Sequence, residues 1–177
     1  MDTQKIAYAQ NYTKKEYLLR FLWFVGKYFF RYSPRIFYEW RNVILRVFGA
    51  KIGKGVKIYP SADIMFPWNL TIGNFTVISW RVIIYNLGQI TIGSNTIISQ
   101  HAHLCAGTHD YRSPSFDLLK SQIHIGDQVW IAADAFIGPE VQIEHRSVIA
   151  ARAVIVKNVE SGVVMAGNPA KAVSRLS

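Results

Sequence analysis

Histidine suits proton transfer near neutral pH, because its unperturbed pKa is about 6.5. The sequence has five histidines, and His109 stands in the pentapeptide GTHDY beside the carboxylate of Asp110. An imidazole held there could take a proton from a hydroxyl and make it a better nucleophile. The Pro, Ser and charged residues that follow predict an exposed loop. From the residues alone, His109 is equally well explained as a base or as a surface histidine, and Asp110 as its orienting partner or as a loop cap.

A six-residue period predicts the structure that must position this loop. Ile or Leu fills every sixth position in four series: 52, 58 and 64; 72, 78 and 84; 92, 98 and 104; and 125, 131, 137, 143, 149 and 155. A helix would repeat apolar residues at about 3.6 and a strand at 2, so neither element explains the pattern. Short strands joined by two-residue corners explain it. Three sides make a coil of about 18 residues, which is a parallel β-helix.

Three interruptions indicate where the chain leaves the regular coil. The steps from Ile64 to Ile72 and from Ile84 to Ile92 are two residues longer than six, and the step from Leu104 to Ile125 is fifteen longer. The longest interruption, residues 105–124, predicts a loop without periodicity that projects from a rigid scaffold. Glycine follows the anchor at positions 53, 73, 93, 126 and 138, where we expect it to serve tight turns.

These patterns divide the chain into a helical arm, residues 1–50, and a solenoid domain, residues 51–177, whose tail is residues 161–177. Aromatic and basic residues alternate at helical spacing in the first part of the arm. A second helix is expected to begin at Ser33 as N-cap with Pro34 at its first position, and to end at Gly49.

The arm carries most of the basic charge. Residues 1–51 contain 10 Lys/Arg and 3 Asp/Glu, a net charge of +7, out of +9 for the whole chain. Two interpretations are open: the helices cap the open end of the solenoid, or residues 14–48 bind a membrane interface. Nucleic acid is not expected as a partner, because the aromatic residues belong to apolar stripes. The most apolar run, Tyr17 to Phe30, is too short to span a bilayer. We therefore expect a cytoplasmic protein, peripheral at the inner face of the membrane if the arm binds lipid.

The hexads, the GTHDY loop and the ending VVMAGNPAKAV resemble the hexapeptide-repeat acyltransferases. The segments NLGQITIGSNTIISQ and IGDQVWIAADAFIGPEVQI narrow the resemblance to the colanic acid biosynthesis acetyltransferases, relatives of the maltose, galactoside and serine O-acetyltransferases. It covers about residues 28–175. The resemblance implies an all-β fold, a left-handed parallel β-helix with an N-terminal helical arm and a short C-terminal helix. It also implies a homotrimer with active sites between subunits.

The resemblance further implies acetyl transfer from acetyl-CoA to a sugar hydroxyl in exopolysaccharide or surface glycan biosynthesis, by direct transfer in a ternary complex. The basic aromatic arm would suit a lipid-linked glycan as the acceptor, and no metal is expected. His109 matches the family's general base. Ala132 and Ala133 stand where relatives carry Ser or Gly on the oxyanion side, so the donor would be a backbone N–H. The remaining matches to cofactor-binding positions are Trp130, Ala151, Arg152, Lys157, Lys171 and Arg175.

The acceptor site departs from the family pattern. A sugar-binding Asn of the galactoside and maltose enzymes corresponds to Ile83 here, and Tyr85 and Asn86 are the nearby candidates. Three other functions are considered: N-acetyl transfer to an amino sugar, a metal-dependent lyase, and a non-catalytic scaffold. The γ-class carbonic anhydrases share the implied fold and carry a close His pair five residues apart. No two histidines of this sequence have that separation.

Overall fold

The computed structural model describes residues 12–176, which begin with two α-helices, α1 (Lys14–Arg31) and α2 (Tyr38–Val47). Residues 1–11 of the predicted arm and residue 177 of the tail lie outside the described residues. The strands are, in chain order, β1 (Lys51–Ile52), β2 (Lys57–Ile58), β3 (Asp63–Ile64), β4 (Leu70–Ile72), β5 (Val77–Ile78), β6 (Ile83–Tyr85), β7 (Ile90–Ile92), β8 (Ile97–Ile98), β9 (His103–Cys105), β10 (Gly107–His109), β11 (Leu118–Lys120), β12 (Ile123–Ile125), β13 (Trp130–Ile131), β14 (Phe136–Ile137), β15 (Gln142–Ile143), β16 (Val148–Ile149), β17 (Val154–Ile155), β18 (Val163–Gly167) and β19 (Ala170–Arg175).

The strands stack into three sheets, one on each side of a triangular solenoid. Face A contains β1, β4, β7, β12 and β15, and face C contains β3, β6, β9, β14 and β17. Face B contains β2, β5, β8, β13, β16 and β18, with β19 added antiparallel at its end. The chain passes from A to B to C in every coil, so each coil has an A–B, a B–C and a C–A edge.

The apolar anchors align in register along each face. On face A, Ile72 pairs with Ile92 twenty residues on, Ile92 with Ile125 thirty-three on, and Ile125 with Ile143 eighteen on. The longer spacings are an 18-residue coil plus the two-residue and fifteen-residue insertions, which confirms the predicted period and its interruptions. Every anchor is at most 2% exposed except Ile52, which is partly buried. Burying each one contributes about 1.5–3 kcal/mol before chain entropy is subtracted.

The glycines that follow the anchors have a different role from the expected one. Corner residues such as Asn95, at φ 55°, and Gln128, at φ 57°, occupy the left-handed region, whereas Gly73 and Gly93 do not. A Cβ on Gly73 would lie 2.6 Å from the carbonyl carbon of Gly93, and one on Gly93 would lie 2.5 Å from that of Gly126. Gly73 and Gly93 therefore permit close stacking of successive coils, and the positive φ of the corners belongs to other residues.

The two helices close the first coil of the solenoid. Trp23 and Phe30 of α1 and Leu45 of α2 are buried and join the solenoid core. The Trp23 Nε1 group donates a hydrogen bond to the Ile64 carbonyl at 3.0 Å. The capping interpretation of the arm is therefore confirmed. No helix within residues 12–176 is long and apolar enough to cross a membrane.

The second helix begins four residues later than predicted. Arg41 is fully buried, and its guanidinium donates to the carbonyls of Pro34 at 2.8 Å and Arg35 at 2.6 Å. These carbonyls are thereby held out of a helical ladder, so α2 starts at Tyr38. Ser33, the predicted N-cap, instead donates its hydroxyl to a carbonyl at the end of α1. Gly49, at φ 91°, lies just beyond the end of α2 as expected.

The tail forms a β-hairpin, and the predicted C-terminal helix is wrong. Val164 of β18 pairs in parallel with Val148, so the tail extends face B by one more strand. Gly167, at φ 98°, precedes the turn, and β19 returns antiparallel to β18. A helix here would leave the edge of β16 without its hydrogen-bonding partner.

Candidate active site

The longest interruption is a β-hairpin rather than an irregular loop. Its strands β10 and β11 pair antiparallel, with His109 opposite Leu118. The Ser121 amide donates to the Ala106 carbonyl at 3.0 Å, which fixes the hairpin to the solenoid. Cys105 still belongs to face C, so the excursion is narrower than predicted. The hairpin projects from the C–A edge and presents His109 at the end of its first strand.

The protonation of His109 follows from its hydrogen bond. Its Nδ1 atom lies 2.8 Å from the Phe116 carbonyl oxygen. A carbonyl only accepts, so Nδ1 carries the proton and Nε2 holds the lone pair of the neutral ring. The Phe116 ring stacks on the imidazole with centroids 4.4 Å apart and planes 10° apart. His109 is therefore a half-buried imidazole with a fixed orientation, whose Nδ1 is engaged by the Phe116 carbonyl.

Asp110 does not make the contact predicted for it. Its Oδ1 accepts hydrogen bonds from the backbone amides of Arg112 at 3.0 Å and Ser113 at 3.2 Å. This is the loop-capping arrangement that Asp favours in turns. The contact that orients the His109 ring is the Phe116 carbonyl, so the structure favours the loop-cap alternative for Asp110, and its catalytic role stays a prediction.

Most of the predicted cofactor-binding residues lie on a different edge. Ala132 and Ala133 follow β13, and Ala151 and Arg152 follow β16, which places all four at the B–C edge. Trp130 projects from face B and is half exposed. Face C separates this group from the hairpin. One chain therefore brings these five residues together but does not bring them to His109.

The two alanines differ in the use of their amides. The Ala132 amide donates to the Ile149 carbonyl at 2.9 Å, inside the ladder between coils. It is not free to stabilise an oxyanion. The Ala133 amide makes no backbone hydrogen bond within residues 12–176, while its carbonyl accepts from Arg152 at 2.9 Å. The predicted backbone donor is therefore available at Ala133 and not at Ala132.

The predicted basic residues divide into two groups. Lys157 and Lys171 line one cleft of about 180 Å³ with Val156, Met165 and Pro169 among its walls. Arg175 lies at the far end of β19, roughly 13 Å along the strand from Lys171. Its guanidinium pairs with Glu160 at 2.7 Å.

Arg152 is bound only weakly by its neighbours. Its Nε lies 3.9 Å from an oxygen of Asp134, and its side chain is 85% exposed. An exposed pair at this distance contributes little to stability, so the guanidinium can turn toward a ligand.

The predicted acceptor residues lie on face C, next to the hairpin. Ile83 and Tyr85 point outward from β6, and Ile83 is 40% exposed. Burial raises the pKa of Tyr85, and the nearby Tyr12 and Cys105 act in the same direction. The phenol therefore stays neutral and able to donate a hydrogen bond.

Asn86 cannot bind a ligand in this arrangement. Its side chain is fully buried. Its Oδ1 accepts from the Phe66 amide at 2.9 Å and its Nδ2 donates to the Phe66 carbonyl at 2.6 Å. The amide joins two coils, so its prediction as a substrate-binding residue was wrong.

Sequence reasoning missed the residues that hold the hairpin. Phe116 is the lone aromatic in the polar stretch RSPSFDLL, and that isolation was the available signal. Lys120 pairs with Glu16 at 3.3 Å, across 104 positions of sequence, which no local pattern indicates. The hairpin is thereby connected to the start of α1.

His103 and the other histidines do not assemble a metal site. Within residues 12–176, no three His, Cys, Asp or Glu side chains are placed to hold a metal ion. His103 lies on face C against the Phe136 ring, with centroids 5.4 Å apart. Burial lowers the pKa of His103. His101 lies in a corner at φ 60° and contacts Trp80, so the two histidines do not share a strand face.

Comparison with known proteins identifies the family. Residues 122–157 match the model of the bacterial transferase hexapeptide, six repeats. The chain is 44% identical over 148 residues to the Escherichia coli (strain K12) protein named "Putative colanic acid biosynthesis acetyltransferase WcaF", covering 84% of this chain and 81% of that protein. It is 26% identical over 153 residues to the galactoside O-acetyltransferase of the same organism, covering 85% of this chain and 75% of that enzyme.

Solved structures agree with this relationship. A hexapeptide-repeat acetyltransferase of Vibrio cholerae, solved in complex with acetyl coenzyme A, superposes with a TM-score of 0.85 at 25% identity, over 93% of this chain and 91% of that one. Such neighbours are left-handed β-helices, and the predicted fold is confirmed apart from its C-terminal helix. The chain belongs to the bacterial hexapeptide-repeat transferases and is an acetyltransferase of that family.

Proposed function

We propose that this acetyltransferase uses acetyl-CoA to acetylate a sugar hydroxyl during assembly of an exopolysaccharide or another surface glycan. The observation that carries the proposal is the 2.8 Å contact between His109 Nδ1 and the Phe116 carbonyl, which leaves Nε2 as the atom of the neutral ring that could accept a proton. A hydroxyl nucleophile needs such a base near neutral pH, and a scaffold protein does not. The relatives named for galactoside O-acetylation and colanic acid biosynthesis support this class of acceptor.

The proposed reaction is a direct transfer in a ternary complex. His109 Nε2 takes the hydroxyl proton while the hydroxyl oxygen attacks the thioester carbonyl carbon. The carbonyl oxygen becomes an oxyanion, to which the free Ala133 amide is suited to donate. Collapse of this intermediate breaks the C–S bond, and the departing CoA thiolate accepts the proton from the His109 imidazolium. His109 is then neutral again, and no acyl-enzyme is formed.

The features that fit acetyl-CoA lie along the B–C edge and in the C-terminal cleft. The half-exposed indole of Trp130 suits the pantetheine arm, and the small side chain of Ala151 leaves the edge open. Lys157 and Lys171 offer two cations to the phosphates from one cleft.

A homotrimer is the assembly that fits these positions. His109 stands on the C–A edge, whereas the cosubstrate residues stand on the B–C edge of the same solenoid. Three solenoids arranged about a threefold axis would set the C–A edge of one against the B–C edge of the next. We therefore place three active sites between subunits.

The acceptor is proposed to lie over face C, where Ile83 and Tyr85 face outward beside the hairpin. The proposed acceptor is a sugar or a lipid-linked glycan, and the proposed location is the cytoplasm, peripheral at the inner face of the membrane. An acceptor carried on lipid would bring its sugar to an enzyme at that surface.

Labelled acetyl-CoA with nucleotide sugars, amino sugars and lipid-linked glycans would identify the acceptor. On that acceptor, His109→Ala is expected to lower kcat/KM by about 10²- to 10⁴-fold, the usual effect of losing a general base. His145→Ala is the control, because His145 is an exposed histidine on the A–B edge. Undiminished transfer by His109→Ala would eliminate the proposed base, and a preference for amino sugars would replace O-transfer by N-transfer.

A further inference from the structure

The outward face of α1 is apolar along its whole length. Its inward face buries Trp23, Gly26 and Phe30. Between Lys15 and Arg31, every exposed position of the helix carries an apolar or aromatic side chain. The most exposed are Phe24, at 76%, and Phe21, at 67%. A helix that only capped the solenoid would present polar residues on this side.

The cations of α1 frame this face instead of crossing it. Lys14 and Lys15 stand at the start of the helix and Arg31 stands in its last turn. The two cations within the helix are engaged on its flanks: Arg20 lies 4.2 Å above the Tyr12 ring, and Lys27 pairs with Asp63. Basic ends around an apolar stripe are typical of helices that lie in a bilayer interface.

The apolar face continues onto the segment that leads into α2. Tyr28 of α1 and Tyr32, which directly follows α1, line an open cleft of about 400 Å³ together with Phe37 and Trp40. The Trp40 indole donates to the Phe29 carbonyl at 3.3 Å, which holds the two elements together. Arg35 is exposed at the edge of this region. The two helices therefore form one surface, which we call the arm face, defined by the exposed apolar residues from 17 to 47.

We propose that the arm face docks on the surface of an anionic phospholipid bilayer. Residues 1–51 carry a net charge of +7, from 10 Lys/Arg and 3 Asp/Glu, which complements anionic headgroups. A second copy that packed arm face to arm face would bring two positively charged surfaces together and be repelled. Aromatic side chains such as Trp40 and Tyr28 suit the boundary between headgroups and acyl chains. The chain thus carries both the apolar and the electrostatic contribution to interfacial binding.

Docking in this way would place the active site beside the lipid. Lys120 of the β10–β11 hairpin pairs with Glu16 in the first turn of α1 at 3.3 Å, and its ammonium lies 4.7 Å from the Tyr12 ring centroid. The hairpin therefore contacts the end of the arm. The use of a lipid-linked acceptor rests on the proposed function, whereas docking itself does not depend on it.

Co-sedimentation of the full chain with vesicles tests the docking. Phosphatidylcholine vesicles containing phosphatidylglycerol are compared with vesicles of phosphatidylcholine alone, without acceptor or acetyl-CoA. Phe24→Glu should weaken binding to the anionic vesicles at least about tenfold, since it removes an exposed aromatic side chain that docking would bury and adds a negative charge facing anionic headgroups. Val173→Glu is the matched control, because Val173 is a 62% exposed residue of β19, which extends the opposite end of the solenoid.

We expect the unmodified chain and the Val173→Glu variant to bind the anionic vesicles, and the Phe24→Glu variant to lose this binding. Binding to neither vesicle, equal binding to both, or equal binding by the two variants would overturn the proposal. If the chain bound no vesicles but its mass by light scattering rose with concentration, and Phe24→Glu abolished that rise, the arm face would instead bind a second copy of the chain. Transfer to a water-soluble acceptor should be unchanged in Phe24→Glu, so failure of docking and failure of the proposed chemistry are distinguishable.

Discussion

Replacing Phe116 with Ala separates the positioning of His109 from its chemistry. The substitution removes the ring that stacks on the imidazole at 4.4 Å but keeps the carbonyl that holds Nδ1. An aromatic pair of this kind contributes about 0.5–1.5 kcal/mol. Because 1.36 kcal/mol is a factor of ten in rate, kcat should fall by about 2- to 12-fold. Phe116 already has φ 51°, so alanine adds no new backbone strain.

The assay is steady-state acetyl transfer across pH with Phe116→Ala, His109→Ala and Tyr111→Ala. Tyr111 is 75% exposed in the same hairpin and serves as the control. Phe116→Ala should retain most of the transfer that His109→Ala loses at every pH tested, because Nε2 can still accept the proton. If Phe116→Ala matched Tyr111→Ala in rate, the ring would have no positioning role. If Phe116→Ala lost as much activity as His109→Ala, the contact between Nδ1 and the Phe116 carbonyl would depend on the ring.

Three further outcomes are expected. Lys157→Met should raise the KM for acetyl-CoA by about threefold to tenfold and leave kcat unchanged, as measured by steady-state kinetics. Arg175→Met should change this KM little, because the Arg175 guanidinium is paired with Glu160. Gly88→Ala should lower kcat with the solenoid still folded, as measured by kinetics and circular dichroism, because its Cβ would collide with the Ser121 carbonyl at the hairpin base. With His103→Phe, Tm should fall less than in the unmodified chain when the pH is lowered from about 7.5 to 5. Burial lowers the pKa of His103, so the unfolded chain binds more protons as the pH falls below about 6.5.

The solenoid was predictable because each anchor meets the same demand. A side chain that points into a triangular core must be apolar in every coil, so the period survives without knowledge of the contacts between coils. The tail was not predictable in the same way. Its residues join an edge strand, and whether VVMAG extends a sheet or begins a helix depends on the free edge of β16. That edge is a tertiary feature, and it overrides local preference.

The sequence indicated candidate residues for the site but not the groups that contact them. His109 was predicted as the base because GTHDY resembles the family motif, since the residues alone fit a surface histidine equally well. Asp110 was a natural partner by adjacency, yet its carboxylate is engaged by two loop amides, and a main-chain carbonyl does the orienting. A backbone group has no sequence signature. Asn86 was misassigned for the related reason that a buried amide between coils and an exposed sugar ligand look the same in sequence.

The three interruptions of the six-residue period lie next to one another in the structure. Both two-residue insertions and the hairpin lie on the C–A edge, in three successive coils. Asn69 of the first insertion donates to the Leu87 carbonyl at 2.9 Å in the second, and Gly88 lies against Ser121 at the hairpin base. Since a strict hexad would leave a flat edge here, the first two insertions supply the polar backbone on which the third rests. The irregular coils therefore act together to support the hairpin that carries His109, and the coils after Ile125 keep the regular period.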